Sequence, residues 1–407
     1  MGKRIFIITH IFPPEIHGSG IMNRELAEDL AARGCTVKVI TCFPSYPEGK
    51  LHPGWRRRLI HRSREKNYEI IRSWHPVSSK KNLLNRALIM VGQSLSYCIS
   101  VFFSGKPDIV ISDGPPLVGA LFSAVIAGIC KARFIIVVHD FVIDILDESK
   151  KNHLGVLNIL KKIELWLYQL ADKVIVLSEG FKRILIRAKE VEPEKVAIIP
   201  VWLDCRDIIP MDRDNPWRRE MGIEPERFVV LYAGTIGLVS GAEMVVEAAK
   251  ILEDHQDILL LFVGSGNKKK NLEDMVLKAG LKNVRFLPFQ PRERLSELQA
   301  TADVSLVTLA PGRGKTSVPS KILGYMAASR PVIAAVDTDS DTAALIRKAK
   351  CGMVVSPDQP TDIAEAILYV YRQPMKRKSM GKAGYTYFLE NFEREKVINN
   401  YIDVISS

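Results

Sequence analysis

The stretch KRIFIITHIFPPEIHGSGIMNRELAEDLAARGCTVKVIT, residues 3–41, contains the strand, loop, helix and strand that decide the fold. Its first apolar run, at 3–9, predicts a strand, and a proline-bearing loop separates that strand from a helix predicted at 21–33. A glycine ends the helix, and a second apolar run follows at 36–41. Continuous rather than alternating apolar strands, separated by helices, are typical of a parallel sheet covered on both faces.

The same alternation continues along the chain and then starts again. Further strands are predicted at 68–72, 108–112, 134–139 and 173–177. After a polar, proline-containing linker at 204–215, strands are predicted at 228–233, 259–263, 284–287, 304–308, 331–335 and 352–355. We therefore predict an α/β protein of two facing, doubly wound, Rossmann-like domains, 1–205 and 216–380, with C-terminal helices at 381–407 that pack back across the domains. The carboxyl ends of their strands would line an interdomain cleft.

The chain is basic, with a formal net charge of +11 over 407 residues. Such a charge favours acidic partners, which include nucleic acid, an anionic membrane and a phosphorylated substrate. The basic clusters at 55–58, 80–81, 161–162 and 268–270 are separated by ordinary folded sequence, which favours solvated faces, with membrane contact as the main alternative. The sequence lacks the interleaved aromatic and basic residues that would indicate a nucleic-acid partner.

Cysteine usage and the N-terminus predict a cytoplasmic protein. The six cysteines are widely spaced, and several lie in apolar runs, where a reduced thiol behaves as a small hydrophobe. The N-terminal residues enter a strand pattern directly and show no signal peptide. Two apolar stretches, 83–103 and 117–130, are too polar or too short to span a bilayer, which takes about 20 apolar residues, and we predict buried or half-buried helices there.

A short glycine run precedes the first predicted helix. Gly18, Ser19 and Gly20 would let a phosphate or a sugar approach the backbone closely, although a simple turn before a helix explains them equally well. As a dinucleotide-binding fingerprint the run fails, because Asn23 replaces the third glycine.

His139 ends the strand predicted at 134–139, a position from which side chains reach a ligand. It would donate to a sugar hydroxyl or stabilise developing charge, or else only satisfy its own hydrogen bonds. Asp144 and Asp147 follow nearby, but no group of acids, histidines and cysteines has metal-ligand spacing. We expect no bound metal.

Glycine turns follow the first two strands of the second half. Gly234 and Thr235 follow one strand and Gly264 follows the next, so backbone N–H groups would face a diphosphate. Phe289, after the third strand, is a candidate for the same donor site.

The run PGRGKTSVPSKILGYMAASRPVIAAV, 311–336, joins a basic glycine loop, a helix start and a buried strand. A helix N-terminus attracts anions, and cations around it strengthen that attraction. The candidates at this turn are Arg313, Lys315, Pro319, Ser320 and Lys321. The run is not a P-loop, because a strand leucine stands where the first glycine of that motif is required.

Together these motifs resemble a family 4 glycosyltransferase of the GT-B fold, and most closely the branch that adds N-acetylated amino sugars in surface polysaccharide or lipid-linked glycan synthesis. The resemblance covers nearly the whole chain. It rests on FPPE and GSG within 12–20, VVHD at 137–140, VIVLS at 174–178, YAGTIG at 232–237, and VPSK at 318–321 leading to MAASRPVIA at 326–334.

The resemblance implies a retaining glycosyltransferase that uses neither metal nor cofactor. The second domain would hold a nucleotide sugar, expected to be UDP-linked, and the first a glycan or polyprenyl-linked acceptor. Arg313, Lys315 and Lys321 would neutralise the departing diphosphate, and His139 would contact the sugar. The 18–20 run would close over the diphosphate or the acceptor.

Trp55 and an amphipathic helix at 161–168 fit peripheral contact with an anionic membrane at its cytoplasmic face. The family's paired glutamates are expected at 316 and 324, where this chain has Thr316 and Gly324. A nucleotide-sugar epimerase or hydrolase on the same fold, and a non-catalytic sugar-nucleotide-binding descendant, are the alternatives.

Overall fold

The computed structural model describes residues 2–15, 18–46, 48–55, 58–79, 83–114, 116–141, 154–315 and 319–407. The chain divides into two compact units. The first contains Met1–Pro200 together with Ile398–Ser407, and the second contains Val201–Val397. The segment 204–215 that the sequence predicts as a linker lies within the second unit.

One sheet forms the centre of the first unit. Its strands are β1 (Arg4–Ile8), β2 (Thr36–Cys42), β3 (Ile60–Glu65), β4 (Tyr68–Ser73), β5 (Ile109–Asp113), β6 (Arg133–Val138), β7 (Lys173–Val176) and β8 (Val196–Ile198). They lie in the order β3-β4-β2-β1-β5-β6-β7-β8. β3 is antiparallel to β4, whereas β1 is parallel to both neighbours and pairs Ile7 with Val39 and with Ile111.

Helices connect these strands and cover the sheet. They are α1 (Gly18–Ala32), α2 (Leu83–Phe102), α3 (Leu117–Cys130), α4 (Leu154–Leu170) and α5 (Glu179–Ala188). Right-handed crossovers place α2, α3 and α4 on one face, because the chain moves in one direction across the sheet through β5, β6 and β7. The reverse step from β1 to β2 places α1 on the other face. This is the doubly wound topology that the sequence predicts.

The second unit repeats the plan with a smaller sheet. Its strands are β9 (Phe228–Ala233), β10 (Ile258–Val263), β11 (Val284–Leu287), β12 (Val304–Thr308), β13 (Val332–Ala335) and β14 (Gly352–Val355), in the order β11-β10-β9-β12-β13-β14. All the pairings are parallel. The helices are α6 (Pro216–Glu220), α7 (Glu243–Ile251), α8 (Lys269–Ala279), α9 (Leu295–Thr301), α10 (Lys321–Ala327), α11 (Asp341–Ala349), α12 (Pro360–Arg372), α13 (Pro374–Asn391) and α14 (Arg394–Ser406).

Both faces of the second sheet are buried, as its continuous apolar strands require. Val229 and Leu231 of β9 pack into one apolar cluster, while Phe228, Val230 and Tyr232 pack into another. Alternate side chains of a strand point to opposite faces, so these two clusters are the two layers of the core. Each layer therefore sits between the sheet and its own set of helices.

Two strands escape the sequence pattern. β3 has the sequence IHRSRE, and it is an edge strand whose side chains are all partly or fully exposed, so it carries no apolar run. β8 is only three residues long. Edge strands tolerate charged residues because only one side of the strand is paired.

The C-terminal segment belongs to two units. α13 lies in the second unit, and the chain returns to the first unit at Ile398, within α14. In the part of the chain that the structure describes, no helix combines the length and the apolar character needed to cross a bilayer. All six cysteines are free thiols, as predicted.

Candidate active site

A buried carboxylate gathers three side chains at the carboxyl edge of the first sheet. Asp113 is the last residue of β5, and its Oδ2 accepts hydrogen bonds from Thr9 Oγ1 at 2.7 Å and Asn23 Nδ2 at 3.0 Å. Its Oδ1 lies 3.2 Å from Nε2 of His139, which directly follows β6. β1, β5 and β6 are neighbours, so their ends bring these groups together.

Asp113 is buried, whereas the side chain of His139 is 17% exposed. Burial by itself lowers the pKa of His139, but the hydrogen bond to Asp113 and the charges of Asp113 and Asp140 outweigh it, and the pKa is raised. Burial likewise acts to raise the pKa of Asp113, but the bond and charge of His139 lower it below its ordinary value. The pair is therefore an imidazolium–carboxylate pair over a wider pH range than a free histidine allows.

Asp140 differs from Asp113 although it is next to His139 in the chain. Burial raises the pKa of Asp140 to about 6, and the charge of His139 only partly opposes that shift. Two carboxyl groups at the same sheet edge thus titrate in different pH ranges.

The Gly18-Ser19-Gly20 run is not the turn before a helix that the sequence predicts. It forms the first turn of α1, which begins at Gly18. A Cβ on Gly20 would lie 3.2 Å from the carbonyl oxygen of Ile11. Gly20 therefore lets α1 pack against the loop that follows β1, which is a structural role.

Glu15, from the FPPE motif, holds the neighbouring loops together. Its Oε1 accepts hydrogen bonds from the backbone N–H of Ser45 at 2.8 Å and of Tyr46 at 2.7 Å. Arg72 donates to the carbonyl oxygen of Pro13 in the same motif. The motif thus ties the loop after β1 to the loop after β2.

In the second unit, two glycine turns lie against each other at the carboxyl ends of β9 and β10. A Cβ on Gly264 would lie 1.9 Å from the carbonyl oxygen of Gly234, and the N–H of Ile236 donates to the carbonyl of Ser265 at 2.9 Å. Only glycine at 264 permits this approach. Thr235, between the turns, is exposed, and its carbonyl accepts a hydrogen bond from Tyr232 at 3.0 Å.

Lys321, the first residue of α10, reaches these turns. Its Nζ lies 3.8 Å from the centroid of the Tyr232 ring, and a Cβ on Gly234 would lie 3.3 Å from the same nitrogen. Among the described residues, no carboxylate or hydrogen-bond acceptor contacts this ammonium group. Burial lowers the pKa of Lys321 to about 7. The ammonium group is thus held beside a backbone turn, and no described residue supplies an anionic partner for it.

Tyr325 fixes α10 in this position. Its hydroxyl donates to the carbonyl oxygen of Ala233 at 3.2 Å and accepts from the N–H of the same residue at 3.0 Å. Since Tyr325 lies one helical turn after Lys321, both side chains project from the same side of the helix toward the end of β9.

Two backbone N–H groups of the glycine loop at 311–315 donate hydrogen bonds to a carboxylate of the chain itself. The carboxylate of Asp337 accepts hydrogen bonds from the N–H of Gly312 at 3.0 Å and of Gly314 at 3.3 Å. This loop forms a short 3-10 turn at Arg313–Lys315, separate from α10. The N–H groups of Gly312 and Gly314 are therefore bonded to Asp337 and are not free for a diphosphate.

The other residues predicted for this site in the run 311–336 do not lie together in one place. Arg313 lies in the Asp337 loop and is partly buried, while the side chain of Lys315 and residue Thr316 lie outside the described part of the chain. The carbonyls of Pro319 and Ser320 accept the N–H groups of Ile322 and Leu323 at the start of α10.

Phe289 is exposed at a sheet edge, whereas Gly324 is packed against a neighbouring side chain. Phe289 follows β11 with a side chain that is 57% exposed, so a planar ring is available at that sheet edge. A Cβ on Gly324 would lie 3.1 Å from Cδ1 of Ile208. A glutamate at 324 would first have to displace that side chain, so its absence is consistent with the local packing.

One trio of described residues offers metal-type ligand atoms within 4.8 Å of one another: Asp204, Cys205 and Glu393. Asp204 is already paired with Arg206 at 2.6 Å and with Arg394 at 3.4 Å. The hydrogen bond from Arg206 holds the pKa of Asp204 at about 2. Two arginines thus neutralise the charge of this carboxylate, and we assign no metal to it.

Comparison with known proteins agrees with the two-unit architecture. Residues 16–207 match the family model described as Glycosyltransferase Family 4, and residues 214–387 match the model described as Glycosyl transferases group 1. Fold and matches together define a glycosyltransferase of the GT-B class. The chain belongs to the family 4 type of glycosyltransferases.

Its relatives include the putative colanic acid biosynthesis glycosyl transferase WcaI of Escherichia coli, which is 26% identical over 99% of both chains. The sucrose-phosphate synthase of Thermosynechococcus elongatus has a similar fold, with a TM-score of 0.75 at 19% identity, covering 99% of this chain and 98% of the other. Anabaena HepE, solved with UDP and glucose, has a TM-score of 0.74 at 15% identity over 100% of both chains.

Sequence reasoning missed two residues of the site. Asp113 follows a buried strand and precedes a glycine, which is the same strand-end signal that identifies His139. Asp337 also follows a buried strand, but nothing local shows that its carboxylate reaches a loop more than 20 residues earlier.

Proposed function

We propose that this glycosyltransferase transfers a sugar, an N-acetylated amino sugar by resemblance, from a UDP-sugar to a glycan or lipid-linked acceptor. Transfer retains the anomeric configuration and uses no metal. The observation that carries the proposal is Lys321, whose ammonium group lies beside the paired turns of Gly234 and Gly264 with no carboxylate of the described residues against it.

The chemistry of the donor explains why such a lysine is useful. A nucleoside diphosphate gains negative charge as the glycosidic bond breaks, and a fixed cation stabilises the transition state where that charge develops. Burial makes the protonated lysine costly when no anion is bound. A diphosphate supplies the missing counter-charge, so the site is complementary to an anionic leaving group.

The nucleotide and the pathway are supported by relatives. HepE was solved with UDP and glucose, and WcaI is named for colanic acid biosynthesis. The HepE complex supports a UDP-sugar donor, and the name of WcaI supports a role in polysaccharide synthesis. Phe289 is the planar side chain that would stack on the base.

In the first domain, the proposal assigns His139 to a hydroxyl of the transferred sugar. Asp113 is its positioning residue, because it holds Nε2 and favours the protonated imidazole. The acceptor is proposed to bind this domain, with the protein in the cytoplasm and in peripheral contact with an anionic membrane. Trp55, a candidate for this contact, is partly exposed and packs on Phe43 at 5.1 Å between ring centroids.

The first experiment measures thermal stabilisation by UDP, GDP, dTDP and their sugars. A ligand that binds the native state raises the melting temperature by mass action, and we expect the largest rise with UDP. Lys321→Ala should abolish the rise, whereas Lys348→Ala, at an exposed position on α11, should leave it unchanged. Equal stabilisation of the Lys321→Ala protein would remove the basis of the proposal.

The second experiment separates transfer from other reactions of the donor. UDP release from the preferred UDP-sugar should depend on added acceptor and proceed without metal in the presence of a chelator. Release at the same rate without acceptor would instead identify a hydrolase, and interconversion of the donor would identify an epimerase.

A further inference from the structure

Three helices on one face of the first unit's sheet leave apolar side chains uncovered. The sequence predicts α2 and α3 to be buried or half-buried, and each is half-buried, with a strongly exposed stripe on its outer side. On α2 this stripe consists of Leu88, Val91, Leu95, Ile99 and Phe102, with exposed fractions from 43% to 82%. At 100° per residue these five positions fall within an arc of about 80°.

α3 and α4 continue the same surface. Val125 and Ile129 are exposed on α3, and Ile159, Trp166 and Leu170 on α4. Each set recurs at intervals of three, four or seven residues, so each forms one side of its helix. α3 contacts both α2 and α4, and all three lie on the same face of the sheet, so the stripes form one surface, which we call the apolar helix face.

The opposite sides of these helices are fixed in the core. Tyr97 and Val101 of α2, Ile126 of α3, and Leu167 and Tyr168 of α4 are buried. The helices are therefore held parallel to the sheet, and only their outer sides are free to meet a partner.

The charges on the helices of the apolar helix face favour an anionic partner. α2 and α3 contain no acidic residue, and the single acid of α4, Glu164, is 5% exposed and paired with Lys189 at 2.6 Å. Lys106 and Lys131 are exposed just beyond α2 and α3, and Lys162 is exposed on α4. Asp108 and Asp172, beyond the same helix ends, are also exposed, but Asp108 is paired with Arg4 at 2.7 Å and Asp172 accepts the N–H of Phe134 at 2.7 Å. Among the described residues, the three helices thus expose lysine but no carboxylate, which is complementary to an anionic bilayer, where headgroups meet the cations and the acyl boundary meets the apolar side chains.

We propose that the apolar helix face docks flat on an anionic lipid surface, with Phe102, Ile129 and Trp166 inserted below the headgroups. This deepens the proposed membrane contact by naming the residues that make it, and it rests on that part of the proposed function. A second copy of the chain fits less well, because a symmetric dimer uses the same face of both copies, and the described residues of the three helices expose no carboxylate to meet the lysines.

The first test is flotation with vesicles of phosphatidylglycerol and phosphatidylethanolamine. The combined variant Leu95→Gln, Ile99→Gln and Phe102→Gln should bind at least about tenfold more weakly than the unchanged protein, since three inserted side chains become polar. Leu277→Gln is the matched control, because Leu277 is 80% exposed on a helix of the second unit. Equal binding by the triple variant and the control would overturn the proposal.

The second test needs no destabilising change. Lipids brominated on the acyl chains should quench part of the tryptophan fluorescence of the unchanged protein, and Trp166→Phe should remove that quenched part. Quenching that survives in Trp166→Phe, or binding without any quenching, would place another surface or only headgroup contact at the membrane. Either result contradicts insertion of this face.

Two controls separate this inference from the enzymatic proposal. The triple variant should keep its stabilisation by UDP, so loss of lipid binding with intact nucleotide binding supports the inference alone. Light scattering after gel filtration reports the oligomeric state. A dimer of the unchanged protein that becomes a monomer in the triple variant, with vesicle binding unaltered, would assign the face to a second copy instead.

Discussion

Oδ1 of Asp113 lies 3.2 Å from Nε2 of His139, and the second oxygen of the same carboxylate is held by Thr9 and Asn23. Both oxygens of Asp113 are thus bonded to side chains at the carboxyl edge of the first sheet. If the histidine turned this nitrogen away, the buried carboxylate would lose its charged partner, which is costly. The hydrogen bond therefore fixes the orientation of Nε2 toward Asp113.

Replacing Asp113 by Asn should lower kcat/KM by about 10²-fold, because the imidazole loses its orientation and its charge support. The pKa of His139 should fall, since Asp113 raises it in the unchanged protein. NMR titration of His139 and the pH dependence of kcat/KM measure both effects. Asp108→Asn, at the opposite end of the same strand and paired with Arg4, is the matched control. An unshifted histidine titration would contradict the positioning role.

Binding of UDP at pH 8 should take up close to one proton. Lys321 is mostly neutral there, since burial lowers its pKa to about 7, and a bound diphosphate favours the protonated form. Calorimetry in two buffers of different ionisation enthalpy measures the uptake. Lys321→Arg should bind UDP with no uptake, because a guanidinium stays protonated. The same uptake in that variant would show that another group is responsible.

In the absence of ligand, Lys321→Met should raise the melting temperature by about 2–4 °C, the shift that roughly 1 kcal/mol produces in a large domain. The substitution removes a desolvated amine and keeps an apolar chain against Tyr232. UDP should no longer stabilise this variant. Scanning fluorimetry with and without UDP tests both statements, and a lowered melting temperature would show that the amine contributes to stability.

Gly264→Ala should destabilise the second domain by about 3 kcal/mol, because the added Cβ overlaps the carbonyl of Gly234 and the turns must separate. UDP affinity should fall with it. Gly280→Ala is the control, since its positive φ of 67° is strained but open space surrounds it, and about 1 kcal/mol is expected. Melting curves of the two variants decide, and equal losses would show that the turns do not need this close approach.

Asp140→Asn should stabilise the protein at pH 8 and have little effect at pH 4. Burial raises the pKa of Asp140 to about 6, so the folded state holds a proton that the unfolded state releases between its ordinary pKa and that value. Stability is therefore lost as the pH rises through this interval, and the amide avoids the loss. Melting temperatures at the two pH values measure the difference, and a larger gain at pH 4 would reverse this assignment.

The sequence predicts the strands well wherever a buried strand consists of a continuous run of apolar residues. β1 and the strands of the second sheet are of this kind, and their observed bounds lie within a residue or two of the predicted ones. β3 fails the test because an exposed edge strand needs no apolar run. The outer side of α2 is apolar but exposed, so hydropathy alone does not show which side of this half-buried helix packs in the core.

The site is less predictable, because long-range contacts assign the roles. Lys321 was identified from its motif, but its contact with Tyr232 depends on how α10 meets β9. Asp337 and Gly312 lie 25 residues apart in sequence, and nothing local predicts the hydrogen bond between the carboxylate of Asp337 and the N–H of Gly312. The motifs identify candidate site residues more reliably than they predict the contacts that each residue makes.

The return of the chain to the first unit at Ile398 makes the second domain an insertion rather than an appendage. Lys3 and Ile405, near the two termini, are joined by a hydrogen bond of 2.7 Å. The segment 201–397 is thus continuous and suited to independent expression for nucleotide-binding studies. Cutting the chain after residue 200 would instead deprive the first domain of a piece of its own helix layer, so the two halves are not interchangeable modules for constructing chimaeras.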